Sequence, residues 1–115
     1  MRNISATATR MVCAGRFGKG MTPEAKVKLK VKKCLTEAGA YYAMPATGGY
    51  GLSGTPDFLA CHRGRFIAIE CKANGNKPTA LQEAALDRIR KAGGVALVID
   101  ETNVETLRKE FENDY

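Results

Sequence analysis

The stretch "GTPDFLACHRGRFIAIECK", residues 54–72, predicts a β-hairpin that carries charged residues in unusual places. Two short apolar runs, Asp57–Cys61 and Arg65–Lys72, are separated by a sharp turn signal. Because side chains alternate between the faces of a strand, Glu70 and Lys72 share one face of the second run. A strand that packs on a core should carry apolar side chains at such positions, so these charged residues become candidates for function.

The turn sets the register of this hairpin. If Arg63-Gly64 forms a two-residue turn, with the glycine supplying a positive φ, Asp57 falls directly opposite Glu70. Opposed Cβ atoms lie about 4.5–5.5 Å apart, and two carboxylates at that spacing repel each other. A divalent cation such as Mg²⁺ or Mn²⁺ would remove the repulsion. A bulge at Gly64 would instead shift the register by one residue.

Lys72 completes a set of groups suited to phosphodiester hydrolysis. A metal ion held by Asp57 and Glu70 would lower the pKa of its bound water and offset charge on the phosphoryl oxygens. The lysine could orient the attacking water and stabilise the transition state. The structural alternative is an exposed strand end with a Glu–Lys ion pair.

Of three further polar residues, Glu24 and Gln82 have two interpretations each, and His62 has one. Glu24 precedes Val27 by one helical step on the apolar stripe of a predicted helix, so it should face the sheet, although a favourable helix dipole explains it too. Gln82 follows Thr79 by three residues, and "TALQ" is either a capping box or a substrate-facing position. His62 is expected to be an exposed turn residue.

The remaining segments predict helices around a short mixed sheet. Thr22-Pro23-Glu24 and Gly39 are typical of a helix start and a helix end, and they favour a helix although "KVKLKVK" also alternates like a strand. After them the sequence predicts a strand at 40–44 and a glycine-rich loop at 45–55. Beyond the hairpin it predicts a helix from Thr79, a buried strand at 95–99 and a last helix capped by Asn103. The helix from Thr79 has an apolar stripe at Leu81, Ala85, Ile89 and Ala92. This order indicates one α/β domain, residues 21–115, with helices packed on the sheet.

The charge pattern points to a polyanionic partner, either nucleic acid or an acidic membrane surface. The 115 residues carry a net charge of +6, and nine of the 18 basic residues lie within 1–33, whereas the segment after residue 99 is acidic. The structural alternative is that these charges only lie on solvated helix faces.

No apolar stretch reaches the roughly 18 residues of a membrane span, and Arg10 interrupts any signal-peptide core. The four cysteines lack C-x-x-C spacing, which argues against zinc and for reduced thiols in a cytoplasmic protein.

The motif positions resemble a known nuclease pattern. Pro56-Asp57, twelve intervening residues and Glu70-Cys71-Lys72 are similar to the PD-(D/E)XK motif. Together with Glu24 upstream, the "GTPDF" entry to the first hairpin strand and Gln82 downstream, they resemble the VRR-NUC domain of that superfamily. The resemblance covers residues 22–99.

The resemblance implies a restriction-endonuclease-like core, with a mixed central sheet flanked by helices, and Mg²⁺- or Mn²⁺-dependent DNA cleavage. It implies the following roles: Asp57 and Glu70 as metal ligands, the Cys71 carbonyl as a third ligand, Glu24 as a further acidic ligand directly or through water, Lys72 as a catalytic residue and Gln82 as an active-site support.

Stand-alone domains of this size resemble virus- or phage-type proteins that form homodimers and cut branched DNA such as four-way (Holliday) junctions. The expected setting is the cytoplasm of a bacterial or phage-infected cell. Residues 1–20, a basic arm, are not part of the pattern. Two alternatives stay open: a nicking, flap or restriction-type nuclease of the same core, and a non-catalytic basic DNA-binding accessory protein. The acidic pair argues against the second, since losing those acids would raise DNA affinity.

Overall fold

The chain forms a four-stranded mixed sheet with helices on both faces. The computed structural model describes residues 20–46 and 54–112; the predicted arm at 1–20 lies outside them except for Gly20, and so does most of the predicted glycine-rich loop. The elements are α1 (Pro23–Ala38), β1 (Tyr41–Ala43), β2 (Phe58–His62), β3 (Arg65–Cys71), α2 (Ala80–Lys91), β4 (Val95–Ile99) and α3 (Val104–Glu112). The strand order is β1-β2-β3-β4, with β4 parallel to β3 and the other pairs antiparallel. This confirms the predicted fold class.

Local capping explains why α1 is a helix despite its alternating lysines. The Thr22 hydroxyl accepts a hydrogen bond from the Ala25 backbone N–H at 3.1 Å, and Pro23 occupies the first helical position. Gly39 ends the helix with a φ of 75°. The buried side chains, Val27, Val31, Cys34 and Leu35, follow the helical period and form the face that packs on the sheet.

The β2–β3 hairpin has the predicted register. Arg63 and Gly64 both have positive φ, at 53° and 81°, as a type I′ turn requires, and His62 pairs with Arg65. The first strand begins and ends one residue later than predicted, and the second starts at Arg65 as predicted but ends one residue earlier. Asp57 immediately precedes β2, and Lys72 immediately follows β3, so both lie at the end of the ladder.

The sheet separates two apolar clusters of unequal size. On one face, Phe58, Ala60, Ile67 and Ile69 pack with α1 and with Leu107 of α3. On the other face, a smaller cluster joins Ala68, Ala96 and Leu86, the last from α2. The domain is therefore a helix–sheet–helix sandwich whose motif residues lie at one end of the hairpin.

The prediction for His62 is wrong. This residue is only 7% exposed, and its ring packs edge-on against Phe111 of α3 with the ring centroids 5.0 Å apart. The cause is the alternation of β2, which places His62 on the same face as Phe58 and Ala60, where α3 covers it.

The predicted contacts of α2 and α3 also need correction. In α2 the buried residue is Leu86, which packs on Ala68 and Ala96. Of the predicted stripe, Ile89 is partly buried against this cluster, whereas Leu81 is 61% exposed. The Asn103 side chain accepts a hydrogen bond from the Asp100 backbone N–H and donates one to the Val98 carbonyl. Within the described ranges it therefore bonds to the backbone at the end of β4 and to no N–H of α3. Among the helices of the described ranges, none is long and apolar enough to cross a membrane.

Candidate active site

The motif residues meet where β2 begins and β3 ends. The buried Pro56 leads into Asp57, which precedes β2, while Glu70 is the penultimate residue of β3 and Lys72 follows the strand. The first turns of α1 border the same end, since Lys28 reaches Asp57. The antiparallel hairpin therefore brings both parts of the PD…ExK pattern together.

The Asp57 carboxylate is fixed by two donors from different elements. Its Oδ2 accepts a hydrogen bond from the Cys71 backbone N–H at 2.8 Å, and its Oδ1 lies 3.5 Å from the Lys28 ammonium. The side chain is 16% exposed. Asp57 is therefore held beside Glu70 without a divalent cation, because the strand that carries Glu70 also binds Asp57 directly.

Glu70 is a buried carboxylate, and one of its oxygens has no hydrogen-bond partner among the described residues. The residue is 2% exposed, its Oε2 lies 3.4 Å from the Lys72 ammonium, and its buried Oε1 has no hydrogen-bond partner among the described residues. Burial, followed by the negative charge of Asp57, raises the pKa of Glu70 to about 7, and Lys72 opposes this rise. A buried carboxylate with an unused oxygen is costly unless a cation or proton joins it.

Lys28 is the site residue that sequence reasoning missed. Its ammonium lies between two carboxylates, 3.7 Å from Glu24 Oε2 and 3.5 Å from Asp57 Oδ1. Desolvation lowers the pKa of Lys28, but Asp57 and Glu24 outweigh it and raise the pKa above its usual value. The sequence contained one signal for this residue: Lys28 follows Glu24 by four positions, and side chains at that spacing are neighbours on a helix.

Cys71 contributes through its backbone. Burial raises the pKa of its thiol far above the ordinary value, so the sulfur stays neutral in the metal-free protein at physiological pH. The N–H of Cys71 is committed to Asp57. Metal ligation by the Cys71 carbonyl stays a prediction.

The structure places Gln82 in the capping box that the sequence allowed. Its Oε1 accepts a hydrogen bond from the Thr79 backbone N–H at 2.9 Å, and its own N–H donates to the Thr79 hydroxyl at 3.2 Å. The motif loop reaches this helix at Gly54, where an added Cβ would lie 2.4 Å from the Leu81 carbonyl oxygen. The first turn of α2 is thus in contact with the "GTPDF" segment, and a catalytic role for Gln82 stays a prediction.

The donor set fits a divalent ion that keeps part of its water shell. Within residues 20–46 and 54–112, no three or more His, Cys, Asp and Glu side chains are grouped closely enough to hold a metal ion. Asp57 and Glu70 still offer hard oxygens, and Glu70 Oε1 is unpartnered among the described residues. Mg²⁺ is commonly held by one or two carboxylates together with water and substrate phosphate, so two carboxylates suffice. Ligation by Glu24, directly or through water, stays a prediction.

Comparison with solved structures identifies a similar fold. No family model and no curated protein matches the sequence. Among solved structures, a chain described as "VRR_NUC domain" matches with a TM-score of 0.64 and 26% sequence identity, over 82% of this chain and 99% of that chain. The resemblance found in the motif is therefore confirmed in three dimensions: the chain has the fold of a VRR-NUC domain, and this match supports a nuclease domain.

Proposed function

We propose that this domain is a Mg²⁺- or Mn²⁺-dependent endonuclease that cuts branched DNA such as four-way junctions. The observation that carries the proposal is the buried Glu70 carboxylate, whose Oε1 has no partner within the described ranges and which lies beside Lys72. A carboxylate with a purely structural role is normally satisfied on burial, because leaving it open costs stability. An open oxygen at a nuclease motif supports a cation-binding role.

The chain's own groups divide the work of hydrolysis. Asp57 and Glu70 would hold the ion, which supplies positive charge beside the scissile phosphate and makes water a better nucleophile at neutral pH. The Lys72 side chain, 12% exposed, is fixed by Glu70 and can donate a hydrogen bond to a phosphate oxygen. Such a pre-positioned donor stabilises the negative charge that develops in the transition state.

Cationic surfaces on two helices support DNA as the partner. One set lies on α1, and a second lies near the end of α2: Lys26, Lys30, Lys32 and Lys33; Arg88, Arg90 and Lys91. Contacts of this kind bind phosphates without regard to sequence. The elements of the described ranges include no separate base-reading module, so DNA shape is the better basis for selectivity.

A strip of exposed side chains on the sheet supports a homodimer. Tyr41, Cys61 and Phe66 are successive cross-strand neighbours on the α2 side, and Tyr41 is 79% and Phe66 44% exposed. Next to them, a groove of about 650 Å³ is lined by Leu59, Phe66 and Ile89. A two-fold dimer would cover such a strip in both copies and would give a junction two active sites. A protein that light scattering shows to be monomeric at all concentrations, yet that makes paired symmetric cuts, would contradict this arrangement.

The experiment that tests the proposal is a cleavage assay with purified protein on matched DNA substrates. Duplex, single-stranded, flap and four-way-junction DNA are incubated with Mg²⁺, with Mn²⁺ and with EDTA, using Glu70→Gln as the inactive control. We expect metal-dependent cleavage that favours the junction. Cleavage that favours the duplex or the flap would identify a different nuclease of the same core. Binding without cleavage in either metal would identify an accessory protein, and full cleavage in EDTA would refute the metal mechanism.

A further inference from the structure

The Lys28 ammonium occupies the anionic side of the candidate metal site. It bridges a helix and the motif loop, lying 3.7 Å from Glu24 Oε2 and 3.5 Å from Asp57 Oδ1. The Lys28 and Glu24 side chains are 34% and 39% exposed, so this side of the site opens to solvent, whereas Asp57 is 16% exposed. An ammonium group and a divalent metal ion cannot both contact the same carboxylate oxygen without strong repulsion between their positive charges.

We propose that Lys28 is an internal counter-ion that neutralises Glu24 and Asp57 in the metal-free protein and competes with the divalent ion for Asp57. The inference rests on the proposed function, because it assumes that Asp57 is a metal ligand. Lys28 is a positioning residue in this account, since it acts through Asp57. It offsets the negative charges of Glu24 and Asp57 before metal binds, and it lowers metal affinity, because its ammonium must withdraw from Asp57 when the ion enters.

The geometry makes withdrawal feasible. Lys28 lies in the second turn of α1, and its long side chain has a solvent-exposed path away from Asp57. Asp57 does not need Lys28 to keep its orientation, because Oδ2 is separately bonded to the Cys71 N–H. The carboxylate therefore stays aligned while one cation replaces another.

Metal affinity measured without DNA tests the inference independently of cleavage. Mn²⁺ is titrated by calorimetry into wild type, Lys28→Met, Lys28→Gln and Lys28→Arg. Both neutral variants should bind Mn²⁺ about three- to tenfold more tightly, because a nearby positive charge is removed. Lys28→Arg, which keeps the charge, should stay within about twofold of wild type. The matched control is Lys30→Met, which removes the same charge from an exposed position on α1 and should change the affinity much less.

Thermal melts supply a second readout. In EDTA the neutral variants should melt below wild type, since Glu24 and Asp57 then lack their counter-ion. In saturating Mn²⁺ that deficit should shrink, so the metal-induced rise in melting temperature should be larger for the variants than for wild type. A merely structural ion pair would leave the same deficit in both conditions.

The outcomes separate this inference from the proposed function. If wild type binds Mn²⁺ and Glu70→Gln does not, but the neutral Lys28 variants bind it no more tightly, the counter-ion role is refuted and the metal site stands. An equal effect of Lys30→Met would also refute it, because general surface charge would then be the cause. If wild type binds no Mn²⁺ at all, the proposed function and this inference fall together.

Discussion

Asp57 accepts a hydrogen bond from the backbone N–H of Cys71 at 2.8 Å, so Asp57 is bonded to the strand that carries Glu70 and leads into Lys72. The bond lies at the end of the β2–β3 ladder, beyond the last paired residues, Phe58 and Ile69. It takes the place of the backbone hydrogen bond that a further pair of residues in the ladder would form. The spacing of the motif in the chain is thereby converted into a fixed spacing of side chains.

The first prediction concerns this bond. Asp57→Ala should destabilise the metal-free protein by about 1–3 kcal/mol, because the partly buried Cys71 N–H loses its acceptor. Asp57→Asn keeps an acceptor oxygen and should cost clearly less. Urea denaturation in EDTA measures both. If the two variants are equally stable, or if Asp57→Ala matches wild type, the bond has no structural role.

Local signals in the sequence were sufficient to predict the hairpin and the helix that surround the site. The Arg63-Gly64 turn sets the hairpin register, and Thr22, Pro23 and Gly39 set the limits of α1. These features depend on backbone geometry within a few residues, so the sequence carries them directly. The placement of Glu70 and Lys72 at the strand end followed from them.

Contacts between distant segments could not be predicted in the same way. The Asp57–Cys71 bond depends on how the chain enters β2, and the Lys28–Asp57 ion pair depends on how α1 packs on the sheet. The burial of His62 depends on α3, whose Phe111 lies 49 positions later in the numbering. No local pattern in the sequence encodes these three contacts, which tertiary packing decides.

The second prediction concerns pH. The pKa of Glu70 is raised from 4.5 to about 7, so between these values the folded state holds a proton that the unfolded state has lost. The free energy of unfolding of the metal-free protein should therefore fall as the pH rises from about 4.5 through about 7. A single carboxyl group can contribute a slope of at most about 1.4 kcal/mol per pH unit in this window.

Glu70→Gln cannot titrate at this position, so its stability should depend less steeply on pH over that window. Glu83→Gln, an exposed position on α2, is the matched control and should keep the wild-type slope. Chemical denaturation in EDTA at several pH values measures the three slopes. Equal slopes for wild type and Glu70→Gln would show that Glu70 is ionised normally in the folded protein.

The third prediction separates chemistry from binding. Lys72→Ala should abolish cleavage while junction affinity stays within about threefold, because one phosphate contact among many is lost. Lys77→Ala removes the same charge from an exposed loop position and should leave cleavage near the wild-type rate. Single-turnover cleavage and gel-shift titrations measure the two effects. Near wild-type cleavage by Lys72→Ala would exclude a catalytic role for Lys72.

The fourth prediction concerns the contact between the motif loop and α2. Gly54 and Gly75 both have positive φ, at 82° and 76°, but only at Gly54 would a Cβ meet backbone, 2.4 Å from the Leu81 oxygen. Gly75→Ala should cost about 1 kcal/mol through its φ alone. Gly54→Ala should cost at least about 1–3 kcal/mol more, since the backbone must move, and it should reduce cleavage. Equal melting temperatures for the two variants would contradict this close approach.

The central claim is that Asp57 and Glu70 bind a divalent metal ion. Its most direct test is a crystal structure of the protein with Mn²⁺, in which anomalous scattering locates the ion. We expect one strong peak with oxygen–metal distances of about 2.1–2.3 Å to both carboxylates, with Lys28 turned away from Asp57. A peak elsewhere, or no peak at a Mn²⁺ concentration that supports cleavage, would contradict it.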